Sequence, residues 1–306
     1  MSMRSWLPIA LGLLLAVALF MLTERNRQPH VASTGALDGS GLYWPPADGR
    51  DPIAPPDSRP AVVPTLMPTI GAPFTAAAPG QRPYIPILMY HYVRSVDAGA
   101  DPIGYNLSVT PEQFSAQMDW LHAAGYATVR LDDVAACLRG AGPCPARAVA
   151  LTFDDGYLDA YTSAMPILQQ YGFTATFYVV SGFVGQPGYM NWDEIRALRQ
   201  AGMQIGAHSV THLDLTTLGL DDLRAELAQS GAAIAAQIGA PVLSFCYPAG
   251  RFNDTVVTVT GEAGYTSATT TIAEGPQDNA LTLPRLRIPG DLALDGFRWM
   301  VQAYLP

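Results

Sequence analysis

The run Val149-Ala150-Leu151-Thr152-Phe153 offers almost nothing polar on either face of an extended chain. A strand with one wet face alternates polar and apolar residues, so a run without alternation must be covered on both sides, as parallel strands are when helices pack over a sheet. Similar short apolar runs at 85–90, 127–130, 174–180, 203–207, 242–246, 265–270 and 283–288 alternate with helical patterns at 111–124, 158–171, 192–201 and 220–238. The helices carry their own punctuation: Thr110 precedes the first, Asn191 and Glu194 form a capping box at the third, and Gly172, Gly202 and Gly239 end three of them. This rhythm over residues 84–306 predicts an α/β fold, a (β/α) barrel ahead of a doubly wound open sheet.

The preceding part of the chain has a different character. Trp6 to Leu22 is an apolar run behind Arg4; its small-x-small stretch Ala16-Val17-Ala18 is followed by four more apolar residues before Glu24-Arg25, so residues 1–27 read as an uncleaved signal anchor crossing the membrane through residues 6–22, with a cleaved signal and a secreted chain as the alternative. Residues 28–83 hold 12 of the 26 prolines and read as an extended spacer. The formal net charge of -9 excludes a broad basic surface for nucleic acid. There is no CxxC; Cys137 and Cys144 enclose a Gly- and Pro-containing loop and would pair in an oxidising compartment, leaving Cys246 as a buried thiol.

Three strand ends carry the chemistry, because barrel sites gather where strands finish. Asp154-Asp155-Gly156 follows the first run at once, and two adjacent carboxylates repel unless a cation or a proton-transfer role compensates; a capping turn is the plain alternative. His208-Ser209-Val210-Thr211-His212 follows the strand at 203–207, and on a helix positions i and i+4 would share a face and one metal. Phe245-Cys246-Tyr247-Pro248-Ala249-Gly250 ends a third run and could present a ring and backbone N–H groups to a ligand.

Taken together, Thr152-Phe153-Asp154-Asp155-Gly156 and His208-Ser-x-x-His212 resemble the first two motifs of the polysaccharide deacetylase family of carbohydrate esterases, over about residues 84–306. The resemblance implies a distorted (β/α)7 barrel, Asp154 as catalytic base, and Asp155, His208 and His212 as ligands of one divalent metal. Zinc is the first choice, with cobalt, nickel or iron compatible with the same donors. The family's Arg-x-Pro-Tyr is replaced by Cys246-Tyr247-Pro248-Ala249, and its C-terminal Leu-x-His is missing from Leu283-Pro284-Arg285-Leu286-Arg287-Ile288. His91, ending the first run, resembles the acid histidine of a circularly permuted branch typified by exported poly-N-acetylglucosamine deacetylases, and Arg285 is the substitute for holding the base.

The expectation is therefore an N-deacetylase of the cell envelope, anchored with its catalytic domain outside the cytoplasm and acting on an N-acetylated polysaccharide. His91 protonates the leaving amine, the Tyr247 N–H helps stabilise the oxyanion, and Tyr157, Trp192, Tyr247 and Pro248 bind sugar. A deacetylase of small acetylated amines and an inactive carbohydrate-binding relative are the alternatives.

Overall fold

A computed structural model describes residues 84–273 and 275–303; the expected anchor and spacer lie outside the described residues. Among the described residues no helix is long and apolar enough to cross a membrane. In chain order the elements are β1 (Ile87–Tyr90), β2 (Tyr92–Val93), α1 (Pro102–Leu107), β3 (Ser108–Val109), α2 (Pro111–Ala123), β4 (Ala127–Val129), α3 (Leu131–Leu138), β5 (Ala148–Phe153), α4 (Met165–Gln170), β6 (Thr176–Val179), α5 (Trp192–Gln200), β7 (Gln204–Ala207), α6 (Leu220–Ile238), β8 (Ser244–Cys246), α7 (Asp254–Glu262), β9 (Ser267–Thr269), β10 (Leu286–Arg287) and α8 (Leu294–Gln302).

The main sheet is parallel throughout, in the order β10-β1-β5-β6-β7-β8-β9. Strand β5 is its longest member, pairing with β4 along its first half and with β6 along its last two residues. Thr269 bridges to Leu283, and the Arg285 N–H donates to the Ile272 carbonyl at 2.8 Å, so the segment leading into β10 returns to the β9 side and the sheet curls on itself. A curled parallel sheet clad in helices is the architecture the sequence rhythm implies.

Both faces of β5 are buried, for different purposes. Val149, Leu151 and Phe153 point outward into the cluster that the helices cover, where Phe153 stacks between Tyr90 and Phe177. Ala148 and Ala150 point inward with Ile85, Ile87 and Leu283, against Leu131, Val134 and Cys137 of α3. Strand alternation then sends Thr152 and Asp154 to the same inner side at the opposite end. Helix α3 thus packs on the lower half of the inner face, and its last turn is tied by a Cys137–Cys144 disulfide.

The expected helix at 158–171 forms, running from residue 158 to 170, but it is not regular throughout. A widened turn spans Ala160–Ala164, with the Met165 N–H reaching back to the Ala160 carbonyl, and regular helix resumes only at Met165. Pro166 stands directly after this turn and has no N–H to continue the ladder backward.

Candidate active site

At the end of β5 the backbone separates the two carboxylates. The Asp154 N–H still donates to the Tyr90 carbonyl at 3.0 Å, continuing the ladder, so its side chain faces inward. Asp155 and Gly156 then adopt φ of 70° and 82°, and this left-handed turn aims the second carboxylate away from the first. A non-glycine residue in that region is held there by its surroundings and marks strained backbone of the kind found at functional sites.

The Asp154 oxygens accept a two-pronged pair of hydrogen bonds from Arg285, Nη1 to Oδ1 and Nη2 to Oδ2, each 2.7 Å. The other guanidinium donors are used as well: Nε donates to the Thr270 carbonyl at 2.8 Å and Nη1 also to Thr152 Oγ1 at 3.1 Å. Arg285 is 1% exposed and Asp154 3%. Burial alone would raise the Asp154 pKa, but the charge and hydrogen bonds of Arg285 outweigh it and hold the carboxyl below the ordinary carboxylate value. Cys246 completes this layer, its thiol donating to Asp154 Oδ2 at 3.6 Å while Arg285 Nη2 lies 3.2 Å from its sulfur.

Asp155 Oδ1 lies 3.3 Å from His208 Nε2 and 3.5 Å from His212 Nε2, and the two Nε2 atoms are 3.1 Å apart. No helix brings the histidines together. They sit on a tight loop with Ser209 and His212 at φ of 63° and 58°, where the His212 N–H donates to Ser209 Oγ at 2.8 Å. Helix α6 fixes that loop: Glu226 accepts hydrogen bonds from the N–H groups of Val210 and Thr211 and from Thr211 Oγ1, and Ser230 Oγ donates to the Ser209 carbonyl. The helical expectation fails because these bonds satisfy the backbone locally.

A divalent cation fits this trio. His208 Nδ1 is 2.7 Å from the Cys246 carbonyl, which can only accept, so the proton is assigned to Nδ1 and the lone pair of Nε2 faces the cluster. Two ring nitrogens and a carboxylate oxygen, all within 4.8 Å of one another, form the nitrogen/oxygen donor set that zinc and its neighbours take. Without a cation the trio is strongly polarised: burial and the adjacent His208 push the His212 pKa down to about 3, while Cys246 and Asp155 outweigh burial and raise that of His208. Asp155 is held low against its burial by the His208 hydrogen bond and the charge of His212.

His91 follows β1, its Nε2 3.9 Å from Asp154 Oδ2, with 14% of its side chain exposed. Burial lowers its pKa, opposed by the charges of Asp154 and Asp155. The structure therefore gathers His91, Asp154, Asp155, His208, His212 and Arg285 at one end of the sheet.

The aromatic platform is placed otherwise. Tyr247 is 1% exposed, its hydroxyl donates to the Leu281 carbonyl at 2.9 Å and its ring stacks on Phe252; Pro248 is buried beside it. The Tyr247 N–H is also occupied, donating to the Thr269 carbonyl at 3.1 Å as part of the sheet, which corrects its expected role as an oxyanion donor. Tyr157 is 4% exposed and stacked on Tyr92 at 3.8 Å, and Trp192 opens α5 with its ring packed on the core. Two further rings here are half-exposed, as Trp192 is: Tyr189, 5.1 Å from Tyr157, and Phe183 beyond it. Sequence reasoning missed these two, because only the loop fold that hydrogen-bonds Met190 to Gly156 brings them beside β5.

A family profile described as polysaccharide deacetylase matches residues 141–268. A Bacillus subtilis (strain 168) protein named as a polysaccharide deacetylase is 30% identical over 187 residues, which are 61% of this chain and 64% of that protein, just under two thirds of its length. A poly-beta-1,6-N-acetyl-D-glucosamine N-deacetylase of Staphylococcus aureus is 28% identical over 207 residues, covering 61% of this chain and 69% of the enzyme. Among solved structures, the Streptococcus pyogenes deacetylase PplD in complex with acetate superposes with a TM-score of 0.67 at 28% identity, covering 71% of this chain and 97% of that one. IcaB from Ammonifex degensii shares the fold, with a TM-score of 0.63 at 21% identity over 72% of this chain and 97% of that one.

Proposed function

This chain is a member of the polysaccharide deacetylase family, carbohydrate esterase family 4, and from that premise we propose that it is a metal-dependent N-deacetylase releasing acetate from N-acetylglucosamine units of a polysaccharide. The observation that carries the reading is the adjacency of two different carboxylate sites: Asp155 among two histidines that suit a divalent cation, and Asp154 clamped by Arg285. The name of the Staphylococcus aureus relative favours poly-N-acetylglucosamine as the glycan.

In this reading Asp155, His208 and His212 hold the metal, zinc first among the candidates. When bound it supplies Lewis acidity toward the acetamide carbonyl and lowers the pKa of water. Asp154 is the base. Its ordinary carboxylate pKa is held down by Arg285, so it is ionised at neutral pH and ready to accept a proton as water adds to the carbonyl carbon. Arg285 fixes both Asp154 oxygens and so fixes the direction of that transfer. His91, on the neighbouring strand, gives a proton to the departing nitrogen as the carbon–nitrogen bond breaks, leaving acetate and a free amine. At 3.9 Å His91 Nε2 and Asp154 Oδ2 are too far apart for a hydrogen bond, so return of the proton from base to acid after turnover goes by way of a water.

The apolar run at residues 6–22 and the Cys137–Cys144 disulfide, a bond that persists in oxidising compartments, support a cell-envelope location with the catalytic domain outside the cytoplasm. The test of the function is acetate release from chitin oligomers, poly-N-acetylglucosamine and peptidoglycan, before and after chelation and after metal return. Release from poly-N-acetylglucosamine that chelator abolishes and zinc restores is the expected outcome. Chelator-resistant release would remove the metal from the reading, release only from small acetylated amines would replace the substrate class, and sugar binding without release would make the chain a binding relative.

A further inference from the structure

Strand β10 and the residue before it bring two arginines, Arg287 and Arg285, to the same end of the sheet, and among the described residues only Arg285 has a partner. Every donor-bearing nitrogen of Arg285 is engaged. Arg287 is two residues further along the strand, so its side chain leaves on the same side, the side on which Arg285 meets Asp154. It is half-buried. Its register partner on β1 is Met89, two residues before His91, which puts Arg287 beside the histidine on the adjoining strand. The charges of Asp154 and Asp155 reach it through space, yet among the described residues none comes within hydrogen-bond or ion-pair distance of its guanidinium.

A partnerless arginine on an open surface means little, since water satisfies it. This one stands at the catalytic end of a strand, partly withdrawn from water, next to the histidine assigned to the leaving nitrogen. Its charge is matched by no contact: Arg285 already answers Asp154, and a divalent cation would more than answer Asp155. A guanidinium so placed presents several N–H donors to whatever enters, and acceptor oxygens are the groups it takes best.

We propose that Arg287 is a substrate-site residue that donates hydrogen bonds to an acceptor oxygen of the bound molecule. Two sources supply such an oxygen: a hydroxyl of the sugar that carries the acetamido group, and the carboxylate of the released acetate. The inference rests on the deacetylase reading only in treating this end of the sheet as the substrate site.

The experiment titrates acetate and, separately, a chitin oligomer into the metal-loaded protein by calorimetry, comparing wild type with Arg287→Met and Arg287→Lys. Loss of a charged hydrogen bond is expected to weaken one probe by about 10-fold or more in Arg287→Met. Arg287→Lys should recover part of that loss, because charge is kept while the planar fork is not. Selective loss of acetate affinity places the arginine at the acetyl end; selective loss of oligomer affinity places it on the sugar. Both variants should keep the wild-type melting temperature and metal content. Unchanged affinity for both probes in a folded, metal-loaded Arg287→Met, or a wild type that binds neither, would overturn the proposal. A wild type that binds a probe through Arg287 yet releases no acetate from any glycan would leave the arginine in place and defeat the deacetylase reading instead.

Discussion

Asp154 and Asp155 are neighbours in sequence with opposite tasks in the proposed mechanism, and one substitution separates them. Asp154→Asn keeps nearly the same shape but cannot take a proton, so metal should stay bound at Asp155, His208 and His212 while acetate release falls by about 100-fold or more. Metal content and turnover measured on the same sample decide it; near-normal turnover would remove Asp154 as base. Arg285 supports a second prediction. In the folded wild type the Asp154 pKa lies below its unfolded value, so this pair's contribution to stability is complete above the unfolded carboxylate pKa and is lost as pH falls through the folded one. Arg285→Met leaves a buried carboxylate without its cation, at a cost of about 3–5 kcal/mol near neutral pH. Its folded pKa then lies above the unfolded value, so the cost should shrink as acid protonates Asp154. Urea unfolding of the metal-free proteins at several pH values measures this, and a pH-independent difference would show that lost packing dominates. At this scale the sequence was most legible where residues with one chemistry sit together at a strand end. It was least legible at Tyr247, whose N–H is consumed by Thr269, because that bond is set by strand pairing and leaves no trace in the local sequence.

The strands that surround the site were readable because burial on two faces leaves a run with few polar residues, and β5 through β9 lie within the expected runs to a residue or so. Helices α1, α3, α7 and α8 were missed for a common reason. Each is between six and nine residues long, and unlike the equally short α5, which its Asn191–Glu194 capping box and Gly202 mark out, none pairs a capping box of that kind with a closing glycine. Helix α3 matters most, since Leu131, Val134 and Cys137 pack on the inner face below the site. Its tie to Cys144 closes a loop with a sequence separation of 7, so chain-entropy arguments give it about 2 kcal/mol. Replacing both cysteines by alanine should lower the melting temperature by about 4–8 °C, while Asp154, just after β5, and Arg285, just before β10, keep their pairing and the activity at lower temperature persists. A wild-type melt unaffected by reductant and by the double substitution would mean that packing alone holds α3.

Among the described residues, the two core clusters and every side chain of the proposed mechanism lie between residues 85 and 301. The beginning of that span is fastened from within: the Ile85 N–H donates to Gln277 Oε1 at 2.9 Å, and Gln277 Nε2 donates back to the Ile85 carbonyl at 2.7 Å. This reciprocal clamp joins the start of β1 to the connection between β9 and β10, the same region that brings Arg285 to Asp154. A chain beginning at residue 84 should therefore fold by itself, melt in one cooperative transition and deacetylate soluble chitin oligomers at the full-length rate. The clamp supplies the control: Gln277→Ala in that shortened chain should cost about 1–3 kcal/mol, because it strands the buried N–H and carbonyl of Ile85. Calorimetry of the shortened chain checks both statements. Aggregation or a non-cooperative melt would mean that residues 28–83 complete the core of the barrel, contrary to the spacer expected from their prolines.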